Sequence, residues 1–216
     1  MAKLVVFGAS GDTGRALVEL ALAAGHTVTA FARNPAAAAL PAAARAIAGD
    51  VLDADAVAAA IAGQDAVLSA LGHRRASRSP FARQLSPPDL FARSAAHMID
   101  AMRRHRVARL VICGVHGAGD SRARTGWLYR WLVERTQIGI ALADANVMEA
   151  AVAQSGLDWL IARPVSLTNG RGRGKWRARP DRISSFASIA RRDVAAFMLA
   201  HVAGALPPER TPSLTS

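Results

Sequence analysis

The chain has few of the residue types on which many enzymes depend. Its 216 residues include a single cysteine, Cys113, so an intramolecular disulfide is impossible and a cysteine-rich zinc site is excluded. Lysine occurs only at Lys3, in a predicted strand, and at Lys175, in a basic loop, which disfavours Schiff-base chemistry. The sequence contains no compact metal motif and no Gly-x-Ser-x-Gly elbow, so neither a metal site nor a serine hydrolase is expected.

Long hydrophobic runs are also missing. No stretch approaches the roughly 18 consecutive apolar residues that a membrane-spanning helix requires. The N-terminus lacks the long apolar core of a secretory signal. Apolar residues nevertheless make up 51% of the chain and charged residues 20%, so a folded core is expected. We therefore expect a cytoplasmic protein without a membrane partner.

Basic residues outnumber acidic residues by 27 to 16, which gives a formal net charge of +11. Almost all of the basic residues are arginines and alanine is abundant, a bias that suggests a GC-rich genome. The net charge favours anionic partners, including phosphorylated cofactors. Specific nucleic-acid binding is not expected, because no zinc-finger spacing, RNP-like aromatic motif or heptad array accompanies the charge.

Short apolar runs alternate with segments of helical periodicity along the whole chain. The runs are typical of buried strands. They predict strands over 3–7, 27–32, 45–48, 65–70, 109–113, 157–162 and 183–186, the sixth of them stopped by Arg163-Pro164. Helices are predicted over 15–24, 54–62, 89–106, 127–155 with an interruption near Gly139, and 190–203.

The alternation predicts right-handed βαβ units and a doubly wound, mostly parallel sheet with helices on both faces. No linker separates two domains, so we expect one α/β domain over 1–204 and an extended, proline-containing tail over 205–216. Two long loops, 73–88 and 169–182, are rich in arginine. They follow the fourth and sixth predicted strands and should both emerge at the carboxyl edge of the sheet.

Three glycines follow the first strand with the spacing Gly8-x-x-Gly11-x-x-Gly14. Their position between a strand and a helix is the one that dinucleotide binding requires. Gly8 permits the tight turn, Gly11 lets the backbone approach a pyrophosphate, and Gly14 lets the helix pack against the strand. The helix N-terminus then offers free N–H groups to the phosphates.

The end of the second predicted strand favours NADP over NAD. An acidic residue about 20 residues after the glycines binds the ribose of NAD, but this strand ends in Phe31-Ala32-Arg33. The guanidinium of Arg33 suits a ribose 2′-phosphate through its charge and paired hydrogen bonds. Asp50 and Val51, after the third strand, are placed to flank the adenine, and Asp50 is also a candidate N-cap of the next helix.

Candidate catalytic residues follow the fourth, fifth and sixth predicted strands, where open α/β sheets bind their ligands. Gly72 and Gly114 would let the backbone pass close to a nicotinamide ribose. His116 is the candidate proton or hydrogen-bond donor, although a solvated loop histidine is the alternative. Cys113 ends an apolar strand and is interpreted as packing rather than as a nucleophile.

The two basic loops suggest how a substrate would be attracted. Their arginines are interpreted either as a solvated surface or as a rim that attracts a planar, anionic acceptor such as a flavin phosphate. Arg74 in the first loop and Trp176 in the second are the candidate substrate residues. In such a reaction the cofactor carries the chemistry and the protein holds two rings near contact.

Several motifs resemble those of the atypical short-chain dehydrogenase/reductases that have an NAD(P)H-binding domain. The resemblance is carried by Val6–Arg15, Phe31–Arg33, Gly49–Leu52, Gly63–Val67, Ser155–Trp159, Arg163-Pro164 and Arg192–Met198. Within that family the sequence is similar to the biliverdin reductase B/flavin reductase group and to NmrA-like proteins. The resemblance covers nearly the whole chain.

The resemblance implies a single Rossmann domain that binds NADPH and reduces a flavin, a quinone or a tetrapyrrole-like acceptor. The cofactor-binding positions that it implies are Gly8, Ser10, Gly11, Asp12, Thr13, Arg33, Asp50, Val51, Leu71, Gly72, Cys113, Gly114, Val115, Pro164 and Ser166. Val115 and Ser166 stand where biliverdin reductase B has a serine and a histidine, which puts activity on biliverdin in doubt.

Two other functions remain open at this point. A non-catalytic NADPH sensor of the NmrA-like type is the first alternative. A nucleotide-sugar-like epimerase or dehydratase is the second, and it is disfavoured because the Tyr-x-x-x-Lys pair is missing: Tyr129 is the only tyrosine, and Val133 stands four residues later. The sequence favours an NADPH-dependent reductase.

Overall fold

The protein, described here by a computed structural model, consists of strands and helices that alternate along the chain. The described residues are 1–77, 79, 81–126, 131, 133, 135–178, 183–184 and 186–216. The strands are β1 Lys3–Phe7, β2 Thr27–Ala32, β3 Arg45–Ala48, β4 Ala66–Ser69, β5 Arg109–Cys113, β6 Asp158–Pro164, β7 Ser166–Thr168, β8 Arg177–Ala178, β9 Ser188–Ala190 and β10 Ser213–Thr215. The α-helices are α1 Asp12–Ala23, α2 Ala54–Ile61, α3 Leu90–His105, α4 Ile138–Ala153 and α5 Arg191–Ala200, and short 3₁₀ helices cover Ala36–Ala38 and Gly119–Arg124.

The main sheet has the strand order β3-β2-β1-β4-β5-β6-β10-β8, and β7 pairs with β9 apart from it. All pairings in the main sheet are parallel except that of β10 with β8. The chain order reverses between β1 and β4, which is the switch point where such sheets bind ligands. The prediction of a doubly wound, mostly parallel α/β domain is confirmed.

Helices cover both faces of the sheet and enclose two hydrophobic cores. One core lies under α2, α3 and α4 and includes Phe7, Met98 and Ile161. The other lies under α1 and α5 and includes Leu17 and Phe197. Because both faces are covered, β4 is buried along its whole length, and the strand sequences are continuously apolar rather than alternating. Among the described helices, none is long and apolar enough to cross a membrane.

Local signals determine where several elements begin and end. Gly25 has a φ of +80° and its N–H bonds to the Leu22 carbonyl, which ends α1 as the sequence predicts. Helix α1 begins at Asp12, three residues before the predicted Arg15, because the glycine loop itself forms its first turn. The N-cap of α2 is Asp53, whose carboxylate accepts the N–H groups of Asp55 and Ala56, so the alternative role of Asp50 as that cap is wrong.

The structure corrects one predicted strand and describes part of one predicted helix. The strand expected over 183–186 lies instead at Ser188–Ala190, where it pairs with β7; Ser185 is outside the described residues. Of the helix expected over 127–155, the structure describes a continuous segment from Ile138 to Ala153, and the turn over residues 135–137 that precedes it agrees with the interruption expected near Gly139. Residues 127–130, 132 and 134 of that prediction lie outside the described part of the chain.

Strand β6 continues through Arg163 and Pro164, where the sequence predicted a stop. Pro164 is tolerated because the sheet uses its carbonyl, which accepts the N–H of His116, while Arg163 and Val165 donate to the tail. The predicted extended tail, 205–216, contributes β10, which lies between β6 and β8 in the sheet. The tail therefore becomes part of the sheet.

Candidate functional site

The glycine loop packs so tightly that two of its glycines admit no side chain. Gly8 has a φ of +76°, and a Cβ there would lie 2.7 Å from the Ala70 carbonyl oxygen. A Cβ on Gly14 would overlap the Gly8 carbonyl oxygen. Gly11 differs, because its nearest neighbour to a Cβ is the Gly8 oxygen at an ordinary 3.4 Å. Packing thus requires Gly8 and Gly14, whereas Gly11 leaves open space above the loop.

The N-terminus of α1 faces that open space. Gly11 is the N-cap residue and no side chain caps the helix, so the first-turn N–H groups remain available to an anion. The Asp12 carboxylate at this N-terminus pairs with the guanidinium of Arg15 at a distance of 3.1 Å. Gly11, Asp12 and Thr13 line the large cavity described below. This arrangement is a cradle for a pyrophosphate.

A smaller cavity of about 340 Å³ extends from the glycine loop toward β2 and β3. Its lining includes Gly8, Ser10, Arg33, Asp50, Val51, Leu71 and Gly72 of the predicted cofactor positions. The Phe31 ring forms the apolar floor of this cavity. Gly49 packs against that ring and must be a glycine, because a Cβ on Gly49 would lie 2.5 Å from the ring. The Asp50 carboxylate accepts the N–H of Leu52 at 3.0 Å, which holds the loop at the rim. The shape and apolar floor suit an adenosine.

Three arginines meet at the outer end of this cavity. Arg15, Arg33 and Arg74 line a recess of about 480 Å³ together with Ser10 and Asn34. Arg33 is predicted from the sequence as a phosphate ligand, but Arg74 is predicted as a substrate residue. The structure places Arg74 beside Arg33 and outside the large cavity. The recess is therefore a strongly cationic pocket at the ribose end of the site.

The largest cavity, about 980 Å³, lies across the ends of β4, β5 and β6. It brings together Leu71, Gly72, Cys113, Gly114, Val115, His116, Pro164 and Ser166, all of which are predicted site residues. A Cβ on Gly114 would lie 2.7 Å from Ile161 Cγ2, so this glycine is required for packing of the strands. Gly72, by contrast, has open space around it.

His116 lines the large cavity but is only 7% exposed. Its Nδ1 lies 3.0 Å from the Ser213 hydroxyl, which β10 supplies from the tail. Burial lowers the pKa of His116, and the charges of Arg163 and Arg124 lower it further. The imidazole is therefore held neutral, which suits a hydrogen bond to a ligand better than the predicted proton donation.

The lowered pKa of His116 predicts a loss of stability on the acidic side of neutrality. The unfolded chain takes up a proton near the ordinary value of 6.5, while the folded chain resists it, so stability falls as the pH drops below 6.5. We expect His116→Gln to flatten this part of a plot of melting temperature against pH. An equally steep fall in the variant would contradict the assignment. The lowered pKa of Asp120 acts only at a lower pH, below its ordinary value of 3.8.

Cys113 ends β5 and lines the same cavity. Burial raises the pKa of its thiol to about 12, and Arg191 offsets only part of that rise. The thiol stays protonated at neutral pH and is a poor nucleophile. This geometry agrees with the interpretation of Cys113 as a packing residue.

A buried ion-pair network supports the loop after β5. The Arg163 guanidinium is 3% exposed and binds both carboxylate oxygens of Glu149, with Nε to Oε1 at 2.9 Å. It also binds Asp120 in the 3₁₀ helix that follows His116. Hydrogen bonds and charges from these carboxylates raise the pKa of Arg163 despite the opposing effect of burial. From the sequence, Arg163 was interpreted as the end of a strand and as part of a family motif, and neither interpretation indicated this ion pair.

A second buried pair was also not predicted from the sequence. His73 follows Gly72 and lines the large cavity, and its Nε2 lies 2.8 Å from Oδ2 of Asp144 in α4. The two side chains are 5% and 2% exposed. A distance of 71 residues separates them in the chain, so no local pattern could have indicated the contact.

The basic loops contribute less to the cavity than the sequence suggested. Trp176 is half-buried against Phe197, with the rings edge to face at 5.7 Å, and is not among the residues that line the cavity. The carboxylate of Asp193 anchors the second basic loop, because it accepts the backbone N–H groups of Arg173 and Gly174. Arg75 does line the cavity, and so does Arg191 of α5, which was not predicted. Arg78, Arg179 and Arg182 lie outside the described residues.

The strand order, the glycine loop and the cavities at the switch point define a Rossmann dinucleotide-binding protein. The NAD(P)H-binding family model matches residues 8–204, and the chain belongs to that family. The match contains most of the motifs that resemble those of the atypical short-chain dehydrogenase/reductases.

Solved structures with the same fold cover nearly the whole chain. ChuY, an anaerobillin reductase from Escherichia coli O157:H7, is 23% identical with a TM-score of 0.77, and the match covers 99% of this chain and 96% of ChuY. A short-chain dehydrogenase/reductase from Veillonella parvula, in complex with NADP, is 15% identical with a TM-score of 0.78 and coverage of 100% and 94%. A Rossmann-fold NAD(P)-binding protein from Shigella flexneri is 24% identical with a TM-score of 0.69 and coverage of 100% and 94%.

Proposed function

We propose that the protein is an NADPH-dependent reductase that transfers a hydride to a planar acceptor such as a flavin or a quinone. The observation that carries this proposal is the cavity of about 980 Å³ that begins at the glycine loop and continues past the ends of three strands. That volume lies at the upper end of the range for ligand cavities and has room for a nicotinamide and a second ring system. The naming of ChuY as a reductase agrees with this proposal.

The residues present fit a nicotinamide dinucleotide along its whole length. The uncapped N-terminus of α1 would hold the pyrophosphate, the cavity over Phe31 would hold the adenosine, and the strand ends at Gly72 and Gly114 would hold the nicotinamide. When bound, the cofactor supplies the hydride. The protein orients the two rings, excludes water from between them and provides hydrogen bonds from His116 and the loop backbone.

The preference for NADPH rests on the cationic recess. Arg15, Arg33 and Arg74 converge where a ribose 2′-phosphate would lie, and no carboxylate is among the described residues that line that recess. An NAD-specific site places an acidic residue there, which would repel the phosphate. Two or three guanidinium groups can surround a phosphate with charge-assisted hydrogen bonds.

Arg33→Ala should weaken NADPH binding by about ten- to a hundred-fold and leave NADH binding nearly unchanged. One charge-assisted hydrogen bond to the 2′-phosphate contributes about 1.5–3 kcal/mol, and NADH has no such phosphate. Fluorescence titration with each cofactor measures the two affinities. Arg45→Ala is the matched control, because Arg45 begins β3 at the opposite edge of the sheet. Equal losses for both cofactors in Arg33→Ala would contradict the assignment.

The charges in the large cavity favour an anionic acceptor. Arg75 and Arg191 line it, and Asp12, which lies 3.9 Å from Arg191, is the one carboxylate in the described lining. At saturating NADPH, kcat/KM for flavin mononucleotide should fall steeply with added salt, because screening shortens the reach of these charges to about 10 Å at 0.1 M. The uncharged quinone menadione should show almost no salt dependence. Identical salt profiles would mean that the arginines do not steer the acceptor.

The function itself is tested by NADPH oxidation with purified protein and a panel of flavins and quinones. Turnover on either class supports the reductase. Tight NADPH binding without turnover on any acceptor would overturn it in favour of a non-catalytic NADPH sensor. The missing Tyr-x-x-x-Lys pair argues against sugar epimerisation, since that chemistry needs a strong acid–base pair.

A further inference from the structure

The pair formed by His73 and Asp144 is built more rigidly than a chance contact. The Asp144 carboxylate accepts the backbone N–H groups of Phe91 at 2.6 Å and Ala92 at 2.9 Å, in the first turn of α3. It therefore acts as an acceptor for three donors, and the Nε2 of His73 carries the proton that points to it. Phe91 also packs edge-on against the His73 ring, with the centroids 4.5 Å apart. These contacts determine both the position and the tautomer of the imidazole.

The other ring nitrogen of His73 has no partner. Nδ1 is buried and makes no hydrogen bond within the described part of the chain. Native proteins leave few buried polar atoms unpaired, and those that remain are often explained by a catalytic role or by a missing ligand. His73 is among the residues that line the large cavity, so we take a ligand seated there as the candidate partner for Nδ1.

A positioned proton donor of this kind would assist the reduction of a planar acceptor. Hydride transfer adds one hydrogen and two electrons to the acceptor, and the resulting anion needs a proton on its heteroatom. An imidazole that is held at one nitrogen by a buried carboxylate, with its other nitrogen available to bond the reacting group, is an established arrangement for proton transfer.

We propose that His73 is the catalytic acid of the reductase and that Asp144 is its positioning residue. This inference rests on the proposed function. The acceptor takes up a hydride, which the bound cofactor supplies, and a proton, which leaves Nδ1 of the His73 imidazolium. The nicotinamide is oxidised, the acceptor is reduced, and neutral His73 keeps its Nε2–H bond to Asp144. Solvent returns the proton to Nδ1 before the next turnover.

Electrostatics distinguish His73 from His116, the other histidine of the cavity. His116 faces the cations Arg163 and Arg124, and together with burial they lower its pKa and disfavour its charged form. His73 instead lies against the Asp144 carboxylate, and Arg75 and Arg191 are the cations in the described lining of the cavity. The carboxylate is the closer partner, since it forms a direct hydrogen bond at 2.8 Å.

The test compares variants of His73 with matched variants of His201. His201 is half-buried, packs against a phenylalanine ring and hydrogen-bonds through a ring nitrogen, but it follows α5, and its backbone carbonyl accepts a hydrogen bond from Arg109 at the start of β5. His73→Gln keeps an N–H donor for Asp144 and cannot deliver a proton. We expect it to lower kcat with NADPH and menadione by about a hundred-fold. We expect NADPH affinity, the melting temperature and the KM for menadione to change little, and His201→Gln to keep full activity.

Chemical rescue with imidazole distinguishes a catalytic acid at position 73 from a residue that only supports the structure. Free imidazole should restore much of the activity of His73→Ala, because it can occupy the space left beside Asp144, and it should have no effect on His201→Ala. Asp144→Asn should lower kcat without raising the KM for menadione. Full activity of His73→Gln, or a loss in His73→Ala that imidazole does not restore, would overturn the role of His73 while the reductase stands. Absence of turnover by the wild-type protein would overturn the proposed function and this role together.

Discussion

Gly11→Val should abolish NADPH binding and leave the fold intact. Gly11 has an extended backbone, with φ −77° and ψ 159°, which valine adopts readily. A Cβ at this position meets only the Gly8 carbonyl oxygen, at 3.4 Å, so the loop itself accommodates the side chain. The added methyl groups would instead occupy the space above the N-terminus of α1, where the pyrophosphate must approach the backbone. We expect at least a hundred-fold loss of affinity in a fluorescence titration.

A second glycine variant provides the contrast that makes this result interpretable. Gly14→Ala should disturb folding, because its Cβ would overlap the Gly8 carbonyl oxygen inside the packed loop. The circular dichroism spectrum and melting temperature should therefore match the wild type in Gly11→Val but not in Gly14→Ala. Unchanged NADPH affinity in a well-folded Gly11→Val protein would show that the cofactor does not bind at this loop.

Arg163→Met should destabilise the protein by about 3–5 kcal/mol, the effect expected when one partner of a buried ion pair is removed. The loss arises because Glu149, which is 7% exposed, would keep a buried charge without its bidentate partner. Chemical denaturation monitored by circular dichroism measures the change. Arg210→Met is the matched control: Arg210 pairs with Asp158 at 3.0 Å, but both side chains are about 40% exposed. Such an exposed pair contributes about 0–1 kcal/mol.

The double variant Arg163→Met/Glu149→Leu tests whether the loss of stability comes from the missing attraction between the two side chains or from the unpaired, buried charge of Glu149. If the cost comes from unpaired Glu149, removal of both charges should recover a large part of the stability. A double variant that is less stable than Arg163→Met alone would show that packing and the bond to Asp120 dominate instead. The same variants should expose His116, because the network supports the loop that carries it.

Much of the fold could be predicted because its signals are local. The predicted bounds of β1, β2, β3 and β5 are the observed ones, since each is a short apolar run with a turn or glycine beside it. The glycine loop could likewise be assigned from spacing and from the strand and helix around it. By contrast, β9 was misplaced by five residues at its start and β6 was cut short, because these segments depend on pairing with β7 and with the tail.

The sequence by itself determined the layered α/β fold, the position of the glycine loop and the presence of Arg33 after β2. These features follow from hydrophobic periodicity and from residues close together in the chain. Only the tertiary structure decided which side chains meet at the strand ends: His73 with Asp144, Arg163 with Glu149 and Asp120, and His116 with Ser213 of the tail. It also turned Trp176 away from the cavity and brought Arg74 to Arg33. The physical reason is that burial and long-range pairing, rather than residue type, determine the hydrogen bonds and charges of each group.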